Sequence, residues 1–435
     1  MRKNHTVVAA GMFATLGWAG WWVAAPASVK SAPPVAAAQA PAPGVVTVPG
    51  MPGVADPNNL YSEVTANRMS PAVAGALGRV YVPNRGSNTV SVIDPATLRV
   101  IDTYKVGIHP QHVVPSWDLK TLWVANNAEG RTDGSLTPID PKTGKPGPSV
   151  PVDDPYNLYW SPDGKSAIVV AEAYKRLDFR DPHTMKLQYS IPTPKCAGLN
   201  HADFSIDGTF ALFTCEFNGS ITKIDLVGRK VIGTIKLSRY FDRPDALAAI
   251  AKPGKKPKYI PDPGQVEAEI CTTPGMPQDV RASPDGKLFY VADMMADGVH
   301  VVDGESFKQT GFIATGVGAH GLYPSRDGKS LYVTNRGSNK IRGTPGGKGS
   351  ISVIDFATRT VVKKWPIPGG GSPDMGNVSA DGKHLWLSGR FDDVVYRIDT
   401  SSGSVDKIKV GREPHGLTVW PQPGRYSLGH TGNLR

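Results

Sequence analysis

The stretch Ala319-His-Gly-Leu-Tyr-Pro-Ser-Arg-Asp-Gly-Lys-Ser-Leu-Tyr-Val-Thr-Asn335 decides the fold. A polar residue and a short apolar run lead into Ser-x-Asp-Gly-Lys, and a strand of alternating character follows, ending at Asn. An Asp-Gly turn between two runs of period two is an antiparallel hairpin. The phrase recurs along the chain, with turn aspartates at Asp118, Asp163, Asp207, Asp285, Asp327 and Asp381. After each hairpin comes a second phrase, as in Ser352-Val-Ile-Asp355 and Lys223-Ile-Asp225, whose Asp opens another turn by bonding the backbone ahead of it. The two aspartates lie 18 residues apart in four units (163 to 181, 207 to 225, 285 to 303, 381 to 399), 22 in one and 28 in another. Each unit therefore reads as four strands, A to D, and four-stranded repeats of about 40 to 45 residues signal a propeller.

Inner strands A begin near Pro110, Pro155, Leu199, Pro277, Ala319, Pro373 and Pro414, whereas strands B to D begin near Arg79, Thr121, Lys165, Thr209, Lys287, Ser330 and His384. The two sets are offset by one. The first B-C-D set lacks a strand A before it, and the last strand A, Pro414 to Trp420, has no B-C-D after it. Joining them predicts an all-β fold: a seven-bladed β-propeller of four-stranded antiparallel blades, its ring closed by the C-terminal strand joining the N-terminal blade, with no open sheet edge at the seam.

The rest of the 435 residues is organised around that ring. Arg2 and Lys3 precede an uncharged apolar run from Thr6 to Ala25, a secretory signal pattern with a cleavage point after Ala27, long enough to serve instead as a membrane anchor. Residues 28–57 are an Ala/Pro-rich linker, expected to be stiff, unpacked and without chemistry. Residues 58–435 form the propeller, interrupted at 238–270 by an insertion with a short helix candidate at 245–251 and the basic run Lys252 to Lys258. No later stretch is long and apolar enough to span a bilayer, so a periplasmic or secreted monomer is expected. The net charge of +10 comes without a Lys/Arg run or basic-aromatic interleaving, which argues against nucleic acid as a partner.

Tyr332-Val-Thr-Asn335 spells the signature of the YVTN β-propeller repeats, and Tyr81-Val-Pro-Asn84, Trp123-Val-Ala-Asn126 and Tyr290-Val-Ala-Asp293 are variants of it. Over about residues 79 to 420 the chain resembles the extracytoplasmic, surface-layer-type and YncE-like YVTN propellers. More distantly it resembles the haem domain of cytochrome-cd-type nitrite reductases and the heavy chain of methylamine dehydrogenase. The resemblance implies the propeller fold and, through its distant branch, a haem-like cofactor; one propeller scaffold hosts unrelated functions, so activity has to be read from the site.

In a propeller the start of strand A and the end of strand B share one rim. Seven and six residues before each turn Asp stand Gln111/His112, Tyr156/Asn157, Asn200/His201, Gln278/Asp279, His320/Gly321 and Asp374/Met375, with His415/Gly416 from the closing strand. After strand B stand Asn84/Arg85, Asn126/Asn127, Ala171/Glu172, Cys215/Glu216, Asp293/Met294, Asn335/Arg336 and Gly389/Arg390. Blades 6, 7 and 1 are consecutive, so Arg336, Arg390 and Arg85 should lie side by side near His320, Asp374 and His415, while blades 3 and 4 offer Glu172 and Glu216. Converging guanidiniums favour a carboxylate or phosphate through forked, charge-assisted hydrogen bonds. Alternatively these arginines pair with acids such as Asp374 and Asp392 and lock blade to blade. The ligand-binding set is Arg85, Arg336, Arg390, His320, His415, Asp374, His112 and Asn126.

His112, His201, His320 and His415 also admit a metal, and Glu413-Pro-His415 resembles part of the histidine pattern of nitrous oxide reductase. Period-two reading, however, puts His112 and His201 one register away from His320 and His415, pointing to opposite faces. Hairpin pairing around Asp207 brings Cys215 opposite Leu199 and close to Cys196. A Cys196–Cys215 disulfide is expected outside the cytoplasm; Cys271 is an alternative partner, and Cys196, Cys215 and His201, with His112 nearby, form an alternative metal set. No Cys-x-x-Cys-His attaches a c-type haem, and no Gly-x-Ser-x-Gly elbow or phosphate loop is present. The reading is an exported, non-enzymatic propeller binding a small anion or an extracytoplasmic protein partner. A metal or haem-like cofactor in a redox or cofactor-handling protein is the alternative, and a lactonase- or lyase-type enzyme using rim His and Arg the second.

Overall fold

The structure, a computed structural model, describes residues 44–128, 131, 133–242, 275–341, 343–430 and 432–435. The signal pattern, the start of the linker, the helix candidate at 245–251, the basic run after it and Cys271 lie outside the described residues.

Seven antiparallel sheets stand around a central channel. Blade 4 shows the unit: Leu199–Phe204, Phe210–Cys215, Ser220–Asp225 and Lys230–Lys236, paired in that order from the channel outward. The other inner strands are Pro110–Pro115, Pro155–Trp160, Pro277–Ala282, Ala319–Pro324 and Pro373–Val378. Blade 1 is shared between the ends of the ring: Thr418–Trp420 lies antiparallel on Arg79–Asn84 in the register Arg79↔Trp420, Val80↔Val419, Tyr81↔Thr418. This closing strand is shorter than the expected Pro414 to Trp420: Pro414 still bridges Asn84 and the His415 N–H donates to the Pro83 carbonyl, but at Gly416 the backbone turns to the next blade, its N–H donating to the Gln111 carbonyl and its carbonyl accepting from Val113. In blade 2 the outermost strand splits into Lys145–Pro146 and Val150–Pro151, since Pro146-Gly-Pro148 cannot sustain a ladder.

Blade faces bury apolar side chains against each other. Between blades 3 and 4, Tyr159, Ile168, Val170, Leu177, Phe204 and Phe213 pack together, each 1% exposed or less, and burial of this kind is the main force holding a propeller together. The A–B turns repeat one device. In all six, the Ser hydroxyl two residues before the turn Asp donates to that carboxylate at 2.5–2.7 Å and accepts the backbone N–H that begins or precedes strand B. Five turns place Gly after the Asp at φ 67° to 76°; in blade 2 Leu119 takes that place at φ 64°, and burial of its side chain offsets the left-handed backbone.

A second repeated feature shapes the channel. In the six complete inner strands one extra residue opposes strand B at the channel mouth, as where Leu199↔Cys215 is followed by Ala202↔Phe213. This β-bulge kinks the strand and re-aims its side chains. Strand-B hydroxyls serve the extra backbone groups: Thr214 accepts the His201 N–H at 3.0 Å and Thr334 that of Gly321 at 2.6 Å.

Both chain ends of the described unit lie on the turn face, opposite the mouth. From the linker onward, the N–H groups of Val48, Leu60 and Asn67 donate to the carbonyls of Asp207, Pro284 and Ala380, in A–B turns of three blades. The stretch from Gly44 is thus docked, and it differs from the expected unpacked linker because these turn carbonyls offer it partners. The tail after the closing strand enters the channel: Ser427 N–H donates to Trp117 O, Leu428 O accepts from Trp160 N–H, and Asn433 Nδ2 donates to Ala202 O at 2.8 Å. Tyr61 and Leu434 join the core that closes that end. Among the described residues no helix is long and apolar enough to cross a membrane.

Candidate functional site

At the mouth, three arginines follow strand B of consecutive blades, as the repeat requires, but their environments differ. Arg85 pairs with Glu413, Nη1 to Oε2 2.5 Å. Arg336 is 2% exposed, donates from Nη2 to Ile341 O at 2.9 Å, and lies over the Phe391 ring at 4.7 Å. Arg390, between them, rests 5.6 Å from the same ring, and its buried Nε has no hydrogen-bond partner among the described residues. Its neighbour Asp392 is occupied elsewhere, by Tyr396 Oη and the N–H groups of Gly346 and Ser372. The blade-locking role therefore fits Arg85 but not Arg390.

The carboxyls around them divide by charge state. Burial works to raise Asp374, but His320, whose Nδ1 stands 2.8 Å from Oδ1, and Arg336 outweigh it and hold the carboxyl well below the usual range. Across the mouth, burial and then Glu216 push Glu172 well above its ordinary value, and burial raises Glu216 although it accepts from Asn200 at 2.8 Å. Burial thus favours the neutral form of both glutamates.

Below the mouth, imidazoles converge. The ring of His112 lies 5.1 Å from that of His201, 4.8 Å from His415 and 3.9 Å from His430, centre to centre. His112 Nδ1 and His430 Nε2 are 2.9 Å apart. The expectation that His112 and His415 point to opposite faces is corrected here: the bulge at the start of each inner strand breaks the period of two, so adjacent positions both turn toward the channel. His430 escaped the repeat arithmetic because the tail belongs to no blade; the one signal for it was a His next to Gly429 beyond the last strand. Burial drives all four imidazoles well below the ordinary His value and so favours the neutral ring, the form that can ligate a metal. The ligand-capable nitrogens of His112, His201 and His430 all lie within 4.8 Å of one another, close enough to meet at one ion.

Deeper still, Arg281 stands 3.7 Å from Asp203 and 3.8 Å from Asp279, and Arg435 Nη2 reaches Asp203 Oδ1 at 2.7 Å. All four residues are at most 5% exposed. Burial raises Asp279 to about 6, with Arg281 opposing the rise.

Of the residues singled out from sequence, Arg336, Arg390, His320, Asp374, His415, His112 and His201 share the channel mouth and the layer beneath it. Arg85 stands at the rim. Asn126 does not join them: it is buried, and its amide donates to Ser135 and Thr137 of the next strand, the role Asn335 plays with Ser350 and Ser352. Cys196 and Cys215 are joined in a disulfide within the apolar core between blades 3 and 4, so neither sulfur is a thiolate for a metal, and His201 meets imidazoles instead.

A closed ring of seven four-stranded sheets, uniform at its turns and varied at its polar channel, defines a seven-bladed β-propeller with a channel site. The chain belongs to the YNCE-like beta-propeller family, whose model matches residues 46–186 and 265–423. No curated relative matches the sequence. Solved structures of similar fold include dihydro-heme d1 dehydrogenase NirN in complex with DHE, with TM-score 0.52 and 16% identity over 79% of this chain and 75% of that one. A proposed 6-phosphogluconolactonase from Bacteroides uniformis gives 0.55 and 15% over 78% and 99%. A functionally unknown protein from Desulfotomaculum acetoxidans gives 0.55 and 13% over 78% and 98%. At these identities the likeness is one of fold.

Proposed function

We propose that this propeller is an exported binding protein that takes a small oxyanion, a carboxylate or a phosphate, at its channel mouth. The observation that carries the reading is Arg390: a partly buried guanidinium, flanked by Arg336 and Arg85, whose Nε has no hydrogen-bond partner among the described residues. A buried donor left unmade costs free energy, and an anion with two oxygens in reach supplies what the fold withholds. The burial of Glu172 and Glu216, which favours their neutral forms, supports the same reading, because a neutral carboxyl on the opposite wall does not repel an anion. The disulfide and the N-terminal signal pattern support an oxidising, extracytoplasmic compartment.

Isothermal titration of the purified protein with inorganic phosphate and with oxalate tests the site. One anion per chain is expected, with Arg390→Gln weakening it about tenfold to a hundredfold, as loss of a charge-assisted hydrogen bond does. Arg390 rests 5.6 Å from the Phe391 ring and its Nε has no partner among the described residues, so its replacement should cost no more than about 1 kcal/mol of stability. Equal affinity in the variant would remove the mouth as the site.

A further inference from the structure

We propose that the layer beneath the mouth is a metal site in which His112, His201 and His430 hold one divalent transition-metal ion, with the C-terminal tail acting as the plug that brings in the third ligand. This goes beyond the anion reading and does not depend on it. The ligand-capable nitrogens of the three residues all lie within 4.8 Å of one another, and none of the residues is more than 1% exposed. A tetrahedral site with metal–nitrogen bonds of 2.0–2.1 Å separates its ligand atoms by about 3.3 Å, so rotamer-scale adjustment of these rings suffices.

Three independent features favour a ligand there over a merely packed cluster. First, His112 Nε2, His201 Nε2 and both nitrogens of His415 are buried with no hydrogen-bond partner among the described residues, an unusual number of unsatisfied polar atoms for one spot. His201 is oriented from its other side, where Nδ1 receives the Asn157 amide at 3.2 Å and stands 3.4 Å from Tyr159 Oη. Second, the backbone is cleared for the rings. A Cβ on Gly416 would stand 1.9 Å from His112 Nδ1 and 2.6 Å from His430 Nε2, so only glycine leaves the gap between those two nitrogens open. Third, the donor set is all imidazole: the nearby carboxylate Asp374 is engaged by His320. Neutral imidazoles suit zinc, copper, nickel or iron, and exclude calcium and magnesium, which take oxygen.

In the metal-free protein one N–H bridges His112 Nδ1 and His430 Nε2. For an ion to take both of these nitrogens, only the ring that donates the bridge has to move its proton to its other nitrogen, since the accepting ring already carries its proton there, and no proton leaves. The fourth position falls to His415, whose ring is 4.8 Å from that of His112, or to a molecule entering from the mouth.

The test uses the full chain stripped with a chelator, dialysed, and titrated with Zn²⁺, Cu²⁺ and Co²⁺, with stoichiometry by elemental analysis and Co²⁺ geometry by visible absorption. One ion per chain and the intense bands of four-coordinate cobalt are expected. His430→Gln and, separately, His201→Gln should each weaken binding more than about a hundredfold, beyond what loss of an outer-shell partner produces, while His183→Gln, on an exposed His, leaves it unchanged. Circular dichroism separates ligand loss from misfolding: if one variant unfolds, the other decides. Absence of stoichiometric binding, or binding indifferent to both variants, overturns the proposal. Arg390→Gln should bind metal normally, so failure of the metal site and failure of the anion site read out separately.

Discussion

The turn face and the channel of this propeller are built from the same inner strands, yet they use the repeat in opposite ways. At the turn face six blades carry the same Ser-x-Asp hydrogen bonds at nearly the same distances, so any one of them is one among equals. Seven residues earlier the blades present Gln111, Tyr156, Asn200, Gln278, His320 and Asp374, with His415 on the closing strand, so neutral, basic and acidic side chains share one ring position. Repetition holds the ring; difference makes the site.

The sharpest way to break that comparison is to injure one member of each set. Asp203→Ala removes the carboxylate that faces Arg281 and Arg435 and accepts the N–H groups of Phe204 and Ala282. Leaving buried guanidiniums without it should cost about 3–5 kcal/mol in urea denaturation. Asp285→Ala breaks one surface turn bond to Ser283 and one to the Lys287 N–H, and should cost about 1 kcal/mol. Equal costs would mean that the channel is no more specialised than the turns.

A smaller effect sharpens the account of the mouth. Glu172 has a folded-state value above its ordinary 4.5, so the folded chain keeps a proton that the unfolded chain has released once pH exceeds 4.5. Such a group subtracts stability as pH rises through that window and changes nothing below it. Glu172→Gln should therefore match the parent protein at pH 4 and gain on it as pH rises above 4.5, until the folded-state carboxyl itself ionises. A gain independent of pH would show that the carboxyl is not perturbed.

Sequence legibility followed the same division. The inner strands start at Pro110, Pro155, Leu199, Pro277, Ala319 and Pro373, where the turn arithmetic puts them, because turn, alternation and spacing all point to one answer. The neighbourhood of Arg336, Arg390, His320 and Asp374 follows from blade order alone. Two things did not. A bulge is one extra residue, and nothing in a period-two pattern marks it, so the convergence of His112 with His415 was hidden. The tail from Pro421, with Gly424, Gly429 and Gly432, shows no alternation in sequence: it folds back on itself, Tyr426 bonding Arg435 and Leu428 bonding Asn433, and reaches the channel wall through Ser427 and Leu428; His430 and Arg435 could not be placed without it. Asn126 misled for the converse reason: it sits at a rim position of the repeat, but its amide is spent inside its own blade.

The most direct test of the central claim is an anomalous difference map at the selenium edge from crystals of the full chain soaked in selenate, a scattering oxyanion. The account predicts the strongest peak within hydrogen-bond reach of Arg390 in the channel mouth. Selenium found only at lysines and arginines of the outer blades, with the mouth empty, would contradict it.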